Sequence, residues 1–226
     1  MAYNFLDMVN IVCKRLNEEI LTSDNFASAT GFYSQIKDSV NASIRDIGFY
    51  HDYWPYNHTE ISQVLIAGRS RYVFPAEAKF IDFKSFRIRR DTSLGVGEAK
   101  KLEHITYSEY LDTYVDQEDE TDATKGGVPE KVFRGQNEEF GIVPLPDKAY
   151  KVTFEYFKYT EDLESHNDVS RVPERFKYVI VDGAMYHTYM FRDNIESAQI
   201  SFKKFKDGMD YMRKVLINEN IYVRAV

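Results

Sequence analysis

Cysteine is nearly absent from this chain of 226 residues, and its scarcity limits the chemistry that the protein can carry. The single thiol, Cys13, excludes an internal disulfide and any cysteine-rich zinc site. Because Cys13 falls within an amphipathic helical pattern, we expect a small buried side chain rather than a nucleophile.

Long apolar runs and an excess of positive charge are also missing. No stretch approaches the roughly 20 apolar residues that span a bilayer, and no basic N-terminus precedes an apolar run, so we expect neither a transmembrane helix nor a secretion signal. There are 29 basic residues against 36 acidic ones, which gives a net charge of -7. That balance disfavours sequence-independent binding of nucleic acid, which depends on neutralising phosphates.

The spacings of common catalytic and cofactor sites do not occur. No phosphate-binding loop is present, and the fragment Gly95 to Gly97 is more typical of a hairpin loop. No nucleophile elbow or zinc-protease motif is found. His51, Asp52 and His58 could supply three metal ligands, but their aromatic neighbours favour a packed linker. The sequence therefore predicts no cofactor, no bound metal and no enzyme activity.

An acidic loop from Asp116 to Thr124 has alternating carboxylates like those of a calcium loop. The pattern fails because Thr121 stands where the sharp turn needs glycine, and Gly127 stands where the closing carboxylate belongs. A solvated loop of mutually repelling charges is the favoured interpretation, and weak cation binding stays open.

Aromatic residues are abundant, with 17 Tyr and 16 Phe. A tyrosine offers a rigid apolar ring with a polar tip, which suits a surface that becomes buried against a partner. Packing within a β-sheet explains the same enrichment equally well.

The two ends of the chain have helical periodicity. The spacing predicts one helix over the first twenty residues and a second that Gly48 stops, with capping oxygens from Ser23, Asp24 and Asn25. Pro173 and Glu174 are typical of a helix start, and two long helices should follow up to Leu216. The apolar positions that carry these predictions are Phe5, Val9, Val12, Leu16 and Ile20; Phe32, Ile36, Val40, Ile44 and Ile47; Phe176, Val179, Ile180, Gly183, Ala184 and His187; and Ala198, Phe202, Phe205, Met209, Met212 and Leu216.

The middle of the chain has the period of β-strands. Ile61 to Ile66, Arg71 to Phe74 and Phe80 to Arg90 are predicted as antiparallel strands, with a turn at residues 67–70 between the first two. The strongest alternation runs from Tyr150 to Tyr156, and a short helix is expected around residues 108–114.

This order predicts an α+β fold. The N- and C-terminal helical pairs should pack into a four-helix bundle, with an antiparallel β-rich lobe inserted between them. The predicted domains are residues 1–56 with 158–226 for the bundle and its C-terminal tail, and residues 57–157 for the β-rich insertion.

The segment that begins at Pro173 resembles the C-terminal helical hairpin of the tail tubular protein A family, the head-to-tail adaptors of short-tailed phages. The residues that carry the resemblance are Pro173, Glu174, Phe176, Lys177 and Tyr178. It implies a structural virion protein at the head-tail junction, assembled in the host cytoplasm without a membrane. It also implies a ring of twelve copies that joins the portal protein to the tail nozzle protein and lines the channel for double-stranded DNA.

The resemblance further implies that a C-terminal element docks against the portal. The residues proposed for this docking are Met212, Leu216, Ile221, Tyr222, Val223 and Arg224, with fraying of the C-terminus as the simpler alternative. A carbohydrate-binding or glycan-hydrolysing tail component is the competing function, because sugars stack on aromatic rings and carboxylate pairs are plentiful.

Overall fold

A computed structural model describes residues 3–89, 99–117 and 126–217. The chain divides into two compact units, a helical unit of Met1–Asn57 with Tyr159–Val226 and a sheet unit of His58–Lys158. Six α-helices and eight strands in two sheets lie within the described ranges, which confirms the α+β class. The helices are α1 Phe5–Arg15, α2 Ser23–Phe26, α3 Phe32–Tyr50, α4 Tyr107–Thr113, α5 Lys177–Phe191 and α6 Ile195–Leu216.

The first helix is shorter than its apolar stripe predicts. Asn4 caps α1, with its side chain accepting from the Asp7 amide. The helix ends at Arg15 because Asn17 adopts a left-handed backbone, with φ 57°, while the Glu18 amide donates to the Cys13 carbonyl. Ile20 is consequently 52% exposed instead of lying on the buried stripe.

The second predicted helix forms, but its predicted ends are wrong. Residues 23–25 begin the separate short helix α2, and Gly31 occupies the N-cap of α3. Gly48 does not stop α3, which continues to Tyr50. Gly48 is needed for close packing, because a Cβ there would clash with the Thr160 side chain.

Helix α5 is the centre of the helical unit, since α1, α3 and α6 all pack against it. A helix covered on several sides needs apolar residues around most of its circumference. The sequence of α5 meets this need, and its buried residues are Val179, Ile180, Val181, Gly183, Ala184, Met185 and Thr188.

Pro173 introduces the C-terminal hairpin differently from the prediction. Its backbone is extended, with φ -58° and ψ 138°, and a 3₁₀ turn over Glu174–Phe176 follows before α5 begins at Lys177. Proline therefore stands just ahead of the helical turns rather than within the first one. The second predicted helix of this hairpin is confirmed as α6, although Phe202 is 45% exposed.

The sheet unit contains two four-stranded sheets, with strand orders β1-β8-β3-β4 and β2-β7-β6-β5. Two details of the predicted antiparallel lobe are wrong. The strands β1 and β2 lie in different sheets and do not form a hairpin, and β5 pairs with β6 in parallel. The strands are β1 His58–Val64, β2 Arg71–Val73, β3 Ala78–Arg89, β4 Ala99–Lys101, β5 Glu103–Ile105, β6 Lys131–Arg134, β7 Glu139–Val143 and β8 Lys151–Lys158.

The strongest predicted strand is confirmed as β8, and it sits centrally in its sheet. Val152, Phe154 and Tyr156 alternate with more exposed residues and point into the core of the sheet unit. Phe154 stacks on Phe86 of the same sheet at 4.5 Å and meets Phe140 of the other sheet at 5.4 Å between ring centroids. Both sheets thus bury their apolar faces in one aromatic core.

Candidate interaction surfaces

The segment that carries the family resemblance combines a buried anchor with exposed side chains. Phe176 is buried, with its ring 6.2 Å from that of Tyr211 and the Arg175 guanidinium 5.0 Å from its centroid. Tyr178 is 55% exposed, and the Lys177 ammonium lies 5.4 Å from its ring. Phe176 therefore fixes the start of the hairpin, while Tyr178 is available for contact.

The end of α6 holds two of the residues proposed for portal docking. Met212 is fully buried in the helical core, and Leu216 is partly buried against it. These two side chains position the end of α6 rather than present an open face. Ile221, Tyr222, Val223 and Arg224 lie outside the described residues.

The turn between α5 and α6 exposes apolar side chains. Phe191 is 57% exposed and Ile195 62% exposed, and Met190 beside them is also exposed. The Phe191 ring stacks on Phe32 at 6.5 Å, and the Arg192 guanidinium lies 3.7 Å from the Phe32 centroid. A cluster of exposed apolar residues of this kind marks a surface suited to a protein partner.

A groove of about 400 Å³ runs between α1, α5 and α6. Arg15 and Asp182 form an ion pair at its wall, so Lys204 supplies the remaining charge of the lining. Lys204, Ser197 and Ser201 line it from α6, with Met185, Tyr189 and Ile200 as its apolar part. The lining is therefore mixed, with charged, hydroxyl and apolar side chains together.

The histidines considered as metal ligands have other contacts. The His51 ring packs against Tyr53 and Trp54, which agrees with a packed linker, and His58 pairs with Glu155 at 3.0 Å. Within residues 3–89, 99–117 and 126–217, no three His, Cys, Asp or Glu side chains cluster as a metal site would need. Most of the acidic loop and Gly95 to Gly97 lie outside these ranges.

The shifted carboxyl groups do not suit proton donation to a glycosidic oxygen. Backbone N–H groups of Ser165 and Glu164 lower the pKa of Asp168, and hydrogen bonds from its own backbone and Tyr156 lower that of Glu77. A general acid needs a raised pKa. Cys13 is a small buried side chain, as predicted, and burial raises the pKa of its thiol to about 11.

The described residues thus define an α+β protein with exposed apolar side chains at the α5–α6 turn and a groove of mixed lining, features that are typical of a protein that binds other proteins. The part of the chain that the structure describes contains no helix long and apolar enough to cross a membrane. Residues 3–222 match the SU10 adaptor protein family, and the chain belongs to that family. This membership confirms the resemblance to phage head-to-tail adaptors and gives the protein a structural adaptor role in the virion. A comparison with curated proteins found no match.

One irregular segment of the helical unit has no periodic signal in the sequence. Residues 159–171 return the chain to the helical unit as an irregular acidic segment, held to α3 by Asn41. The sequence marks this segment only by its charge, because four carboxylates lie between Glu161 and Asp168 without a lysine or arginine among them.

Proposed function

We propose that the protein forms the adaptor ring of a phage head-tail junction, joining the portal to the tail nozzle around the DNA channel. The observation that carries this proposal is the family match over residues 3–222, almost the whole chain. Within each copy, α1, α3, α5 and α6 act as a four-helix bundle, with residues 57–157 as an inserted β lobe and residues 1–56 with 158–226 as the bundle domain.

A ring requires two different patches on each copy, because each subunit contacts the next in a head-to-tail manner. The helical unit has enough exposed apolar surface for this purpose. Its exposed residues include Tyr178, Phe191, Ile195, Ile200 and Tyr211. Side chains of these types are common in the centres of protein interfaces.

Passage of DNA suits the charge of the chain. Each copy has a net charge of -7, so a ring of twelve copies is strongly acidic. Acidic walls repel phosphates and let the duplex slide, whereas a continuous basic lining would retain it.

Portal docking is assigned to the end of α6 and the residues that follow. Met212 and Leu216 anchor the helix end in the core, and Ile221, Tyr222, Val223 and Arg224 supply the contacting side chains. Deletion of residues 218–226 should leave a folded protein that no longer binds portal in a co-sedimentation assay. As a control, Tyr53→Ala changes an exposed aromatic far from this segment in sequence, and it should retain binding.

The ring itself is tested by native mass spectrometry of the chain with and without purified portal. We expect closed rings of twelve copies, free or templated, and an image of the particle should place one such ring at the tail vertex. A chain that stays monomeric at all concentrations and with portal present would refute the proposal.

A further inference from the structure

Helix α6 of the helical unit carries a cluster of exposed lysines. Lys203, Lys204 and Lys206 of α6 are exposed, and none of them forms a salt bridge with a described residue. Asp207 is exposed on the same face, four residues after Lys203 and three after Lys204, so this patch of three lysines and one aspartate has a net charge of +2. The whole helix has five basic and three acidic residues in a chain that is acidic overall: Lys203, Lys204, Lys206, Arg213 and Lys214 against Glu196, Asp207 and Asp210. We refer to the three exposed lysines as the lysine face.

The same unit carries an acidic surface elsewhere. Residues 159–170 contain four carboxylates and no lysine or arginine. Glu161, Asp162 and Glu164 are exposed. Glu161 and Asp162 line a cavity of about 290 Å³, together with Arg171. We refer to residues 159–170 as the acidic segment.

The two surfaces belong to different parts of the unit. The acidic segment is hydrogen-bonded to α1, through the Phe5 amide and the Asp168 carbonyl, and to α3 through Asn41. The lysine face is on α6, which packs against α5. Within one copy the carboxylates have other partners, Arg45 for Asp162 at 3.5 Å and Arg171 for Glu161 at 3.4 Å.

Each surface also combines charge with exposed apolar side chains. Ile200 and Phe202 flank the lysine face, and Tyr159 and Val169 belong to the acidic segment. Protein interfaces combine apolar contacts with a polar rim in this way, and complementary charges set the register and the rate of association.

We propose that the lysine face of one copy docks onto the acidic segment of a second copy. This inference rests on the proposed ring and names the contact that propagates it. A contact between two different surfaces of identical chains leaves one of each unused at every step, so it continues from copy to copy until the ring closes.

The test uses two charge reversals in the full chain. Variant A is Lys203→Glu/Lys204→Glu/Lys206→Glu, and variant B is Glu161→Lys/Asp162→Lys/Glu164→Lys. Like charges then meet at every junction when variant A or variant B is alone, so the protein concentration for half-assembly should rise at least tenfold. Light scattering measures that concentration. The conditions are those in which the wild type assembles, with or without portal. Wild-type assembly should also weaken as salt is raised.

An equal mixture of A and B provides the decisive measurement. In an alternating ring, the reversed helix of A meets the reversed segment of B, and the native helix of B meets the native segment of A. Every junction is again complementary, so the mixture should assemble at close to the wild-type concentration.

The control is Lys84→Glu/Lys101→Glu/Lys151→Glu, which makes the same charge change on exposed lysines of the sheet unit and should leave assembly unchanged. Far-UV circular dichroism and Trp54 emission establish that each variant is folded. The inference is overturned if variant A assembles at the wild-type concentration. It is also overturned if both variants lose assembly and their mixture does not recover it. In either case the ring proposal stands. Normal assembly by A with weaker binding to portal or duplex DNA would assign the lysines to that other partner, and a wild type that never assembles overturns both proposals.

Discussion

The helical unit and the sheet unit bury different kinds of side chain. The core of the helical unit is mainly aliphatic, with Val9, Ile44 and Ile180 among its members, whereas Phe86, Phe140 and Phe154 fill the centre of the sheet unit. Of the 18 large apolar residues exposed within the described ranges, 13 belong to the helical unit and five to the sheet unit. The comparison indicates that the sheet unit buries its large aromatic residues in its own core, while the helical unit leaves more apolar surface exposed.

The largest expected effect is the loss of stability when a central aromatic ring of the sheet unit is removed. We expect Phe154→Ala to destabilise the sheet unit by about 3–5 kcal/mol, because it empties a site in contact with rings of both sheets. Hydrogen exchange of β3 and β8 peptides, followed by mass spectrometry, measures the loss. Phe157→Ala on the other face of β8 is the matched control and should cost less, since that ring is only half-buried. Equal losses would argue against an aromatic core as the basis of this unit.

The close approach of helices offers the corresponding test of the helical unit. A Cβ on Gly183 would clash with the Ser43 hydroxyl and lie 2.7 Å from the Phe205 ring. Gly183→Val should therefore destabilise the unit by about 3 kcal/mol. Denaturation followed by the emission of Trp54, the only tryptophan and a member of the helical core, measures the change. As a control, Gln199→Val adds the same side chain at an exposed position of α6 and should cost below about 1 kcal/mol. A similar loss of stability from both substitutions would contradict the claim that Gly183 is needed for close helix packing.

The Asn41 side chain is one of the groups that attach the acidic segment to the helical unit. The Asn41 side chain donates to the Leu163 carbonyl and accepts from the Leu163 amide, both at 3.0 Å. Asn41→Ala should cost about 1–3 kcal/mol by leaving those backbone groups unpaired, as measured by urea denaturation. Asn41→Asp retains the acceptor and should recover part of the loss. An unchanged midpoint for Asn41→Ala would show that the segment is held by other contacts.

The smallest expected effect is a dependence on pH. The folded pKa of Asp168 is lowered by backbone N–H groups, so its stabilisation is present above the unfolded pKa and is lost as pH falls through the folded value. Asp168→Asn should reduce stability at neutral pH and flatten the acid limb of the stability curve. Thermal melting between neutral and strongly acidic pH measures both, and parallel curves for the two proteins would contradict the assignment.

Local patterns were sufficient for the long helices and for the strands β1, β2, β3 and β8, although several of their ends were misplaced. The stripes of α1, α3, α5 and α6 and the alternation of β8 were recognisable because a helix and a strand each impose their own period on buried residues. The candidate site was less predictable. Met212 fits an apolar stripe whether it faces the core or a partner, and only the packing of α6 showed that it is buried.

The sequence by itself determined the α+β class, the helical character of both ends and the absence of familiar catalytic spacings, since each of these depends on residues close together in the chain. The tertiary structure decided where α1 ends, why Gly48 lies inside a helix, and that β1 and β2 join different sheets. It also decided that the lysines of residues 203–206 and the carboxylates of residues 161–168, about forty residues apart in the chain, belong to one unit. These outcomes depend on contacts between residues far apart along the chain, which no local period encodes.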